Sequence, residues 1–344
     1  MTIDQIVDAV RACAQGQKTK VDISNILYSH GCYALLKRNE NSIGLIERTV
    51  NHVAIKERYS VCEQFFKNIT FPYVVIKGAV LSRSIYKDPF LRVSGDIDVL
   101  IHRRNADDAK HILQECGFIQ GRVTETALVP FTRKEILYQS AMSHQTAPFI
   151  KSTSNKLCPY VNLDINMDIL WGESDWRVDV DKVLLHREKV SLFNVDFYKL
   201  MPEMEFVALC LHHYKDMNSI YLLSKGSLRL GLFCDIYFYL RNVHPSATRI
   251  SELACQFNVG QYLYVCLVHT MEIFDDPVLL PYIEMLMNQR DTSLLDSFGL
   301  NDKERKYWDI PFLQRLFHQN LSKYMERFLT VSDIEKIRIN QENM

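Results

Sequence analysis

Nothing in this chain of 344 residues is in strong excess, and what it lacks narrows the reading. Acidic and basic residues nearly cancel, 41 against 40, for a formal net charge of −1. Such a chain has no overall electrostatic pull toward nucleic acid or anionic membrane, which disfavours a polymerase. Glycine and proline number only 12 and 10, the proportions of an ordinary globular protein rather than a low-complexity one. The nine cysteines are scattered, odd in number and form no Cys-x-x-Cys pair, so neither a zinc ribbon nor a redox centre is expected. No apolar run approaches the roughly 20 residues that cross a bilayer. The opening Met1-Thr2-Ile3-Asp4 leads into an amphipathic helix without a signal-peptide pattern. The expectation is a protein of the reduced cytoplasm with no membrane partner.

What is present is a chain long enough for two or three domains. Residues 1–70 read as an N-terminal helical region, with Ile3, Ile6, Val7 and Val10 at helical spacing and Ile43, Leu45, Ile46, Val50 and Val53 repeating it. Residues 71–200 alternate, with strands expected at 73–77, 97–102, 118–122, 135–142 and 160–167. A helix from Asn105 to Cys116 is closed by Gly117. Residues 201–344 return to helices, one from Pro202 to about Tyr214 and another over Leu228 to Leu240. The fold class is α+β: a small mixed sheet between two helical regions.

The most informative residues are Asp96 and Asp98 in Val93-Ser94-Gly95-Asp96-Ile97-Asp98-Val99-Leu100-Ile101. Strand alternation turns both carboxylates to one face and Ile97 and Val99 to the other. Two adjacent carboxylates repel unless a cation lies between them, and hard Mg²⁺ suits such an oxygen site. Just upstream, the buried strand Tyr73-Val74-Val75-Ile76 runs into Lys77-Gly78 and then a helical pattern. Lys77 could reach phosphate there, with Gly78 letting backbone approach and the helix N-terminus adding its dipole. A lysine merely snorkelling from a strand end is the plain alternative.

Strand, glycine turn, helix and Asp-x-Asp strand together resemble the polymerase-β-like nucleotidyltransferases. Within that superfamily, Val75-Ile76-Lys77-Gly78-Ala79-Val80-Leu81, Tyr86, Asp88-Pro89-Phe90-Leu91-Arg92 and Gly95-Asp96-Ile97-Asp98-Val99-Leu100-Ile101 resemble nucleotidyltransferase family 5. The resemblance implies transfer of an NMP group from an NTP, most simply ATP, to a hydroxyl or phosphate acceptor with release of pyrophosphate. The acceptor is a small molecule, peptide or protein that the resemblance does not name. It implies two Mg²⁺ ions, replaceable by Mn²⁺, at Asp96, Asp98 and a third acidic residue on a neighbouring strand.

That third residue falls in Tyr160-Val161-Asn162-Leu163-Asp164-Ile165-Asn166-Met167-Asp168, where Asn162, Asp164, Asn166 and Asp168 share the face opposite Val161, Leu163 and Ile165. The family pattern points to Asp164, with Asp168 as the alternative; many relatives carry His where Asn166 stands here. Nucleotide-binding candidates are Lys77, Gly78, Arg92, Ser94, Gly95 and His144, joined by Lys215 and Arg229 from the helical region. Ala79 replaces the hydroxyl usual in the glycine turn, and Ser82 could substitute for it. A salt bridge from Arg229 to Asp235 or Asp216 is the structural alternative. His212 and Asp216 lie four apart on a helix, but with no third ligand evident in sequence, zinc is not expected. Two rival readings remain: a non-catalytic nucleotide-binding scaffold, and an RNA-end enzyme disfavoured by the near-neutral charge.

Overall fold

The computed structural model describes residues 1–38, 42–124, 127–142 and 144–343. Contacts divide the chain into two compact units. One comprises Met1–Gly44, Glu173–Asp175 and Phe206–Met344, the other Leu45–Gly172 and Trp176–Glu205. The helix Leu45–Asn68 therefore groups with the sheet and not with the residues before it.

The second unit is built on a mixed sheet of eight strands. They are β1 (Tyr73–Ile76), β2 (Asp96–Ile101), β3 (Ile119–Val123), β4 (Leu128–Pro130), β5 (Phe149–Ser152), β6 (Tyr160–Asn166), β7 (Arg187–Leu192) and β8 (Val195–Leu200). Their order is β4-β3-β5-β6-β2-β1-β8-β7. β2 runs parallel to β6 and antiparallel to β1, and β1 is parallel to β8.

One face of the sheet carries the core. Tyr73 and Val75, then Ile97, Val99 and Ile101, then Val161, Leu163 and Ile165 alternate along β1, β2 and β6 and are all buried. Against them pack Ile55, Tyr59, Cys62, Phe65 and Phe66 of the Leu45–Asn68 helix, with Ala109 and Leu113 of the helix Ala106–Glu115. The period of two that buries these side chains sends the aspartates of β2 to the opposite face.

The strands expected near 73, 97, 118 and 160 are present, as is the helix ending before Gly117, whose φ of +83° is the left-handed stop that glycine favours. The strand expected at 135–142 is instead the helix Arg133–Met142. Its start explains the difference: Thr132 and Glu135 cap one another, Thr132 Oγ1 accepting from the Glu135 N–H at 3.3 Å and Glu135 Oε2 accepting from the Thr132 N–H at 2.7 Å. The strand between β3 and β6 is supplied by Phe149–Ser152. The hairpin of β7 and β8 turns at Phe193 and Asn194, both at positive φ (55° and 65°). That is the two-residue turn whose twist matches paired strands, and a phenylalanine in its first position conceals it in sequence.

The first unit is helical, apart from a two-stranded ribbon of Ser297–Phe298 and Lys306–Tyr307. The helix Pro202–Asn218 lies mainly in it, with Leu230–Val243 and Gly260–Phe274. Tyr237 and Phe274 stack with ring centroids 4.1 Å apart, which fixes two of these helices face to face. All nine cysteines are free thiols, and no described helix is long and apolar enough to cross a membrane.

Candidate active site

The turn after β1 is strained. Lys77 has φ 62° and ψ −157°, a backbone region that essentially only glycine occupies without strain. Gly78 follows at φ +56°, and a Cβ there would stand 3.1 Å from Ser94 Oγ. The double kink ends β1, starts the helix Gly78–Tyr86 and aims the Lys77 side chain across the sheet face. Its Nζ donates to Asp98 Oδ1 at 3.0 Å, with both side chains largely buried.

β2 and β6 bring the acidic residues together through register. Asp96 pairs with Asn162, Asp98 with Asp164 and Leu100 with Asn166 along these parallel strands. Paired residues share a face on strands about 4.8 Å apart, so Asp96, Asp98, Asn162 and Asp164 form a block of four oxygen-bearing side chains. Asn166, buried in the next position, donates from Nδ2 to Asp98 Oδ1 at 3.1 Å and accepts from Gln145 Nε2 at 2.7 Å. Asp98 Oδ1 is thus held by Lys77 and Asn166 together. Asp168 is used differently: it is buried beyond the end of β6 and accepts from the backbone N–H groups of Leu170 at 2.9 Å and Val178 at 3.4 Å.

The electrostatics of this block favour a cation. Burial, then the Asp98 charge, pushes the Asp96 carboxyl above the usual range, while Lys77, Arg92 and Arg58 pull it down without cancelling the rise. Asn162 Oδ1 is buried with no hydrogen-bond partner, beside Asp96 in register. An open set of carboxylates with an amide oxygen to spare suits Mg²⁺, which keeps waters and takes substrate phosphates rather than a closed protein cage. The residues present fit such an ion.

The remaining candidates divide between the two units. Arg92 and Ser94 precede β2 instead of extending it. Ser94 Oγ donates to the Asp96 carbonyl at 2.9 Å, and the Ser94 carbonyl accepts from the Arg58 guanidinium at 2.5 Å. Apart from its chain neighbours, no atom of the described residues stands within 4 Å of where a Gly95 Cβ would point. The Ser82 hydroxyl serves the loop: it donates to the Asp88 carbonyl at 2.8 Å and accepts from the Arg92 N–H at 3.1 Å. His144 precedes β5 and lies beside the end of β6, its carbonyl accepting from the Met167 N–H at 2.9 Å. Lys215 and Arg229 belong to the helical unit, where Arg229 Nε donates to the Gly226 carbonyl at 3.1 Å. Asp216 and Asp235 face histidines rather than Arg229.

Sequence reasoning missed the Asp98 contact of Asn166, the support from Gln145 and the anchoring by Arg58. The alternation in β6 already put Asn162 and Asn166 on the Asp164 face. Nothing local to Gln145 or Arg58 distinguishes either residue.

None of the curated proteins matches the chain. A crystal structure of an antigenic nucleotidyltransferase-like protein from Paracoccidioides brasiliensis is similar at 14% identity and a TM-score of 0.40, covering 70% of this chain and 96% of that one. The family model described as uncharacterised nucleotidyltransferase matches residues 50–275, which takes in the turn, both Asp-bearing strands and the helices from Pro202 to Phe274. The chain belongs to this family of uncharacterised nucleotidyltransferases.

Proposed function

We propose that the chain is a Mg²⁺-dependent nucleotidyltransferase that moves an NMP group from an NTP, most simply ATP, to a hydroxyl or phosphate acceptor. The observation that carries this reading is the register of Asp98 with Asp164 on parallel strands, one pleat from Asp96 and beside the Lys77-Gly78 turn. The acceptor oxygen forms a bond to the α-phosphorus, the bond to the β-phosphate oxygen breaks, and pyrophosphate carries the electron pair away. Mg²⁺ held by Asp96, Asp98 and Asp164 would supply neutralisation of phosphate charge and polarisation of the acceptor oxygen.

The chain's own groups do the positioning. Lys77 Nζ, paired with Asp98 at 3.0 Å, can exchange that carboxylate for a phosphate oxygen when nucleotide arrives. Gly78 leaves room for phosphate at the N-terminus of the helix Gly78–Tyr86. Asn166 fixes the Asp98 carboxylate, and Asp164 takes the acceptor side, where it can receive the acceptor proton at its carboxylate. Arg92, Ser94 and Gly95 form the loop over which nucleotide would lie, with His144 as a further candidate contact. Most of the rate enhancement asked of these residues is alignment and charge placement.

The hold of Lys77 and Asn166 on one oxygen of Asp98 also suits a protein that binds nucleotide without turnover. Pyrophosphate release decides between them. Each of the four NTPs is supplied with Mg²⁺, first with the small-molecule fraction of a cell extract and then with whole extract. Release that vanishes in Asp96→Asn/Asp98→Asn supports transfer, and the active fraction gives the acceptor class. Nucleotide binding without release from any NTP supports the scaffold.

A further inference from the structure

We propose that the helical unit carries a divalent transition-metal site formed by His212, His213 and Asp216, separate from the aspartates of β2. Among the described residues these three form the one group of His, Cys, Asp or Glu side chains whose donor atoms all lie within 4.8 Å of one another. His212 and Asp216 are four apart on the helix Pro202–Asn218, with Nε2 and Oδ2 at 3.5 Å. Two ligands about 2.1 Å from one tetrahedral zinc lie about 3.4 Å apart, so this pair already has the spacing of a shared ion.

An independent observation comes from His213. Its side chain is fully buried, yet neither Nδ1 nor Nε2 makes a hydrogen bond. A buried imidazole that makes no hydrogen bond costs stability unless its lone pair is taken up by something else. Asp235, reaching in from the helix Leu230–Val243, sets its Oδ2 3.4 Å from His213 Nε2, outside hydrogen-bond geometry but close enough to tighten. A carboxylate facing one ring nitrogen while the other holds an ion is the usual support of a metal-bound histidine. Sequence spacing offered only the His212–Asp216 pair; the buried neighbour and its carboxylate complete the set. Two imidazoles and a carboxylate select Zn²⁺ or a similar first-row ion over Mg²⁺.

The test is metal retention by the intact chain after EDTA treatment, loading with Zn²⁺ or Co²⁺ and gel filtration. Asp96→Asn/Asp98→Asn serves as background, so that ions at β2 are not counted. The expected result is about one retained equivalent in that background, with affinity at least about tenfold weaker in His212→Asn/Asp216→Asn. Both of those side chains are partly exposed, and circular dichroism checks that the fold is kept. In the unaltered chain, the Co²⁺ form should give paramagnetically shifted imidazole N–H resonances, which carboxylate ligation cannot produce. Absence of those resonances, no retained ion in the background chain, or equal retention in His212→Asn/Asp216→Asn would each overturn the site. None of these outcomes depends on nucleotidyl transfer.

Discussion

Lys77 is held in a glycine-only backbone conformation while its ammonium neutralises a buried aspartate, and the two effects can be separated by substitution. Lys77→Ala removes the ammonium but keeps a Cβ at φ 62°, ψ −157°. Breaking a buried pair by removing one partner costs about 3–5 kcal/mol. The low end applies here, because the Lys77 side chain is 17% exposed and Asn166 still donates to Asp98. Lys77→Gly loses the same pair but releases backbone strain of about 1–3 kcal/mol. Against that release stands the extra freedom glycine gives the unfolded chain, about 0.4–1 kcal/mol. Lys77→Gly should therefore be more stable than Lys77→Ala by roughly 0.5–2 kcal/mol, the reverse of their order at an ordinary position. Urea unfolding of the three proteins, with midpoints and slopes fitted separately, measures it. Equal stability, or an alanine variant above the glycine variant, would refute the strain at this turn.

Further outcomes follow from the same geometry. Asp164→Asn should abolish pyrophosphate release with little change in the unfolding midpoint, whereas Asp168→Ala should cost about 1–3 kcal/mol through its orphaned N–H groups; the reverse pattern would transfer the catalytic role to Asp168. Phe65→Ala, which empties the centre of the sheet core, should cost about 3–5 kcal/mol in the same urea assay; a loss below 1 kcal/mol would mean that this helix face is not packed as described. His30 accepts from the Leu230 N–H at 3.0 Å, and burial, reinforced by the Arg229 charge, pushes its pKa from 6.5 down to about 4. The unfolded chain takes up that proton first, so the His30 contribution is complete above pH 6.5 and declines between pH 6.5 and 4. The slope is at most about 1.4 kcal/mol per pH unit, and His30→Gln should flatten it in thermal melts across that range.

Much of the candidate site was legible in the chain. Asp96 and Asp98, two apart, had to share a strand face, and the strand-forming run of Tyr73-Val74-Val75-Ile76 before Lys77-Gly78 had to end at a turn. The alternation of Val161, Leu163 and Ile165 with Asn162, Asp164 and Asn166 fixed which side of β6 is polar. Local reading failed where a side-chain contact or a paired strand decided the outcome. The mutual cap of Thr132 and Glu135 turned an expected strand into a helix. Phe193 took a positive φ because β7 and β8 pair on either side of it.

The sequence by itself determined the periodicities: where the strands that carry the aspartates lie, which face of each is apolar, and that two carboxylates crowd one side. These are properties of neighbouring residues, set by backbone geometry and the need to bury apolar surface. Only the tertiary structure decided which distant groups meet them. Register of two parallel strands set Asp164 beside Asp98, a strained turn swung Lys77 onto the same carboxylate, and Asn166 and Gln145 closed the support. The pairing of His213 with Asp235 arose in the same way, between helices whose residues are 22 positions apart (235 − 213). Register and helix packing are chosen by the whole core at once, so no local stretch of sequence carries them.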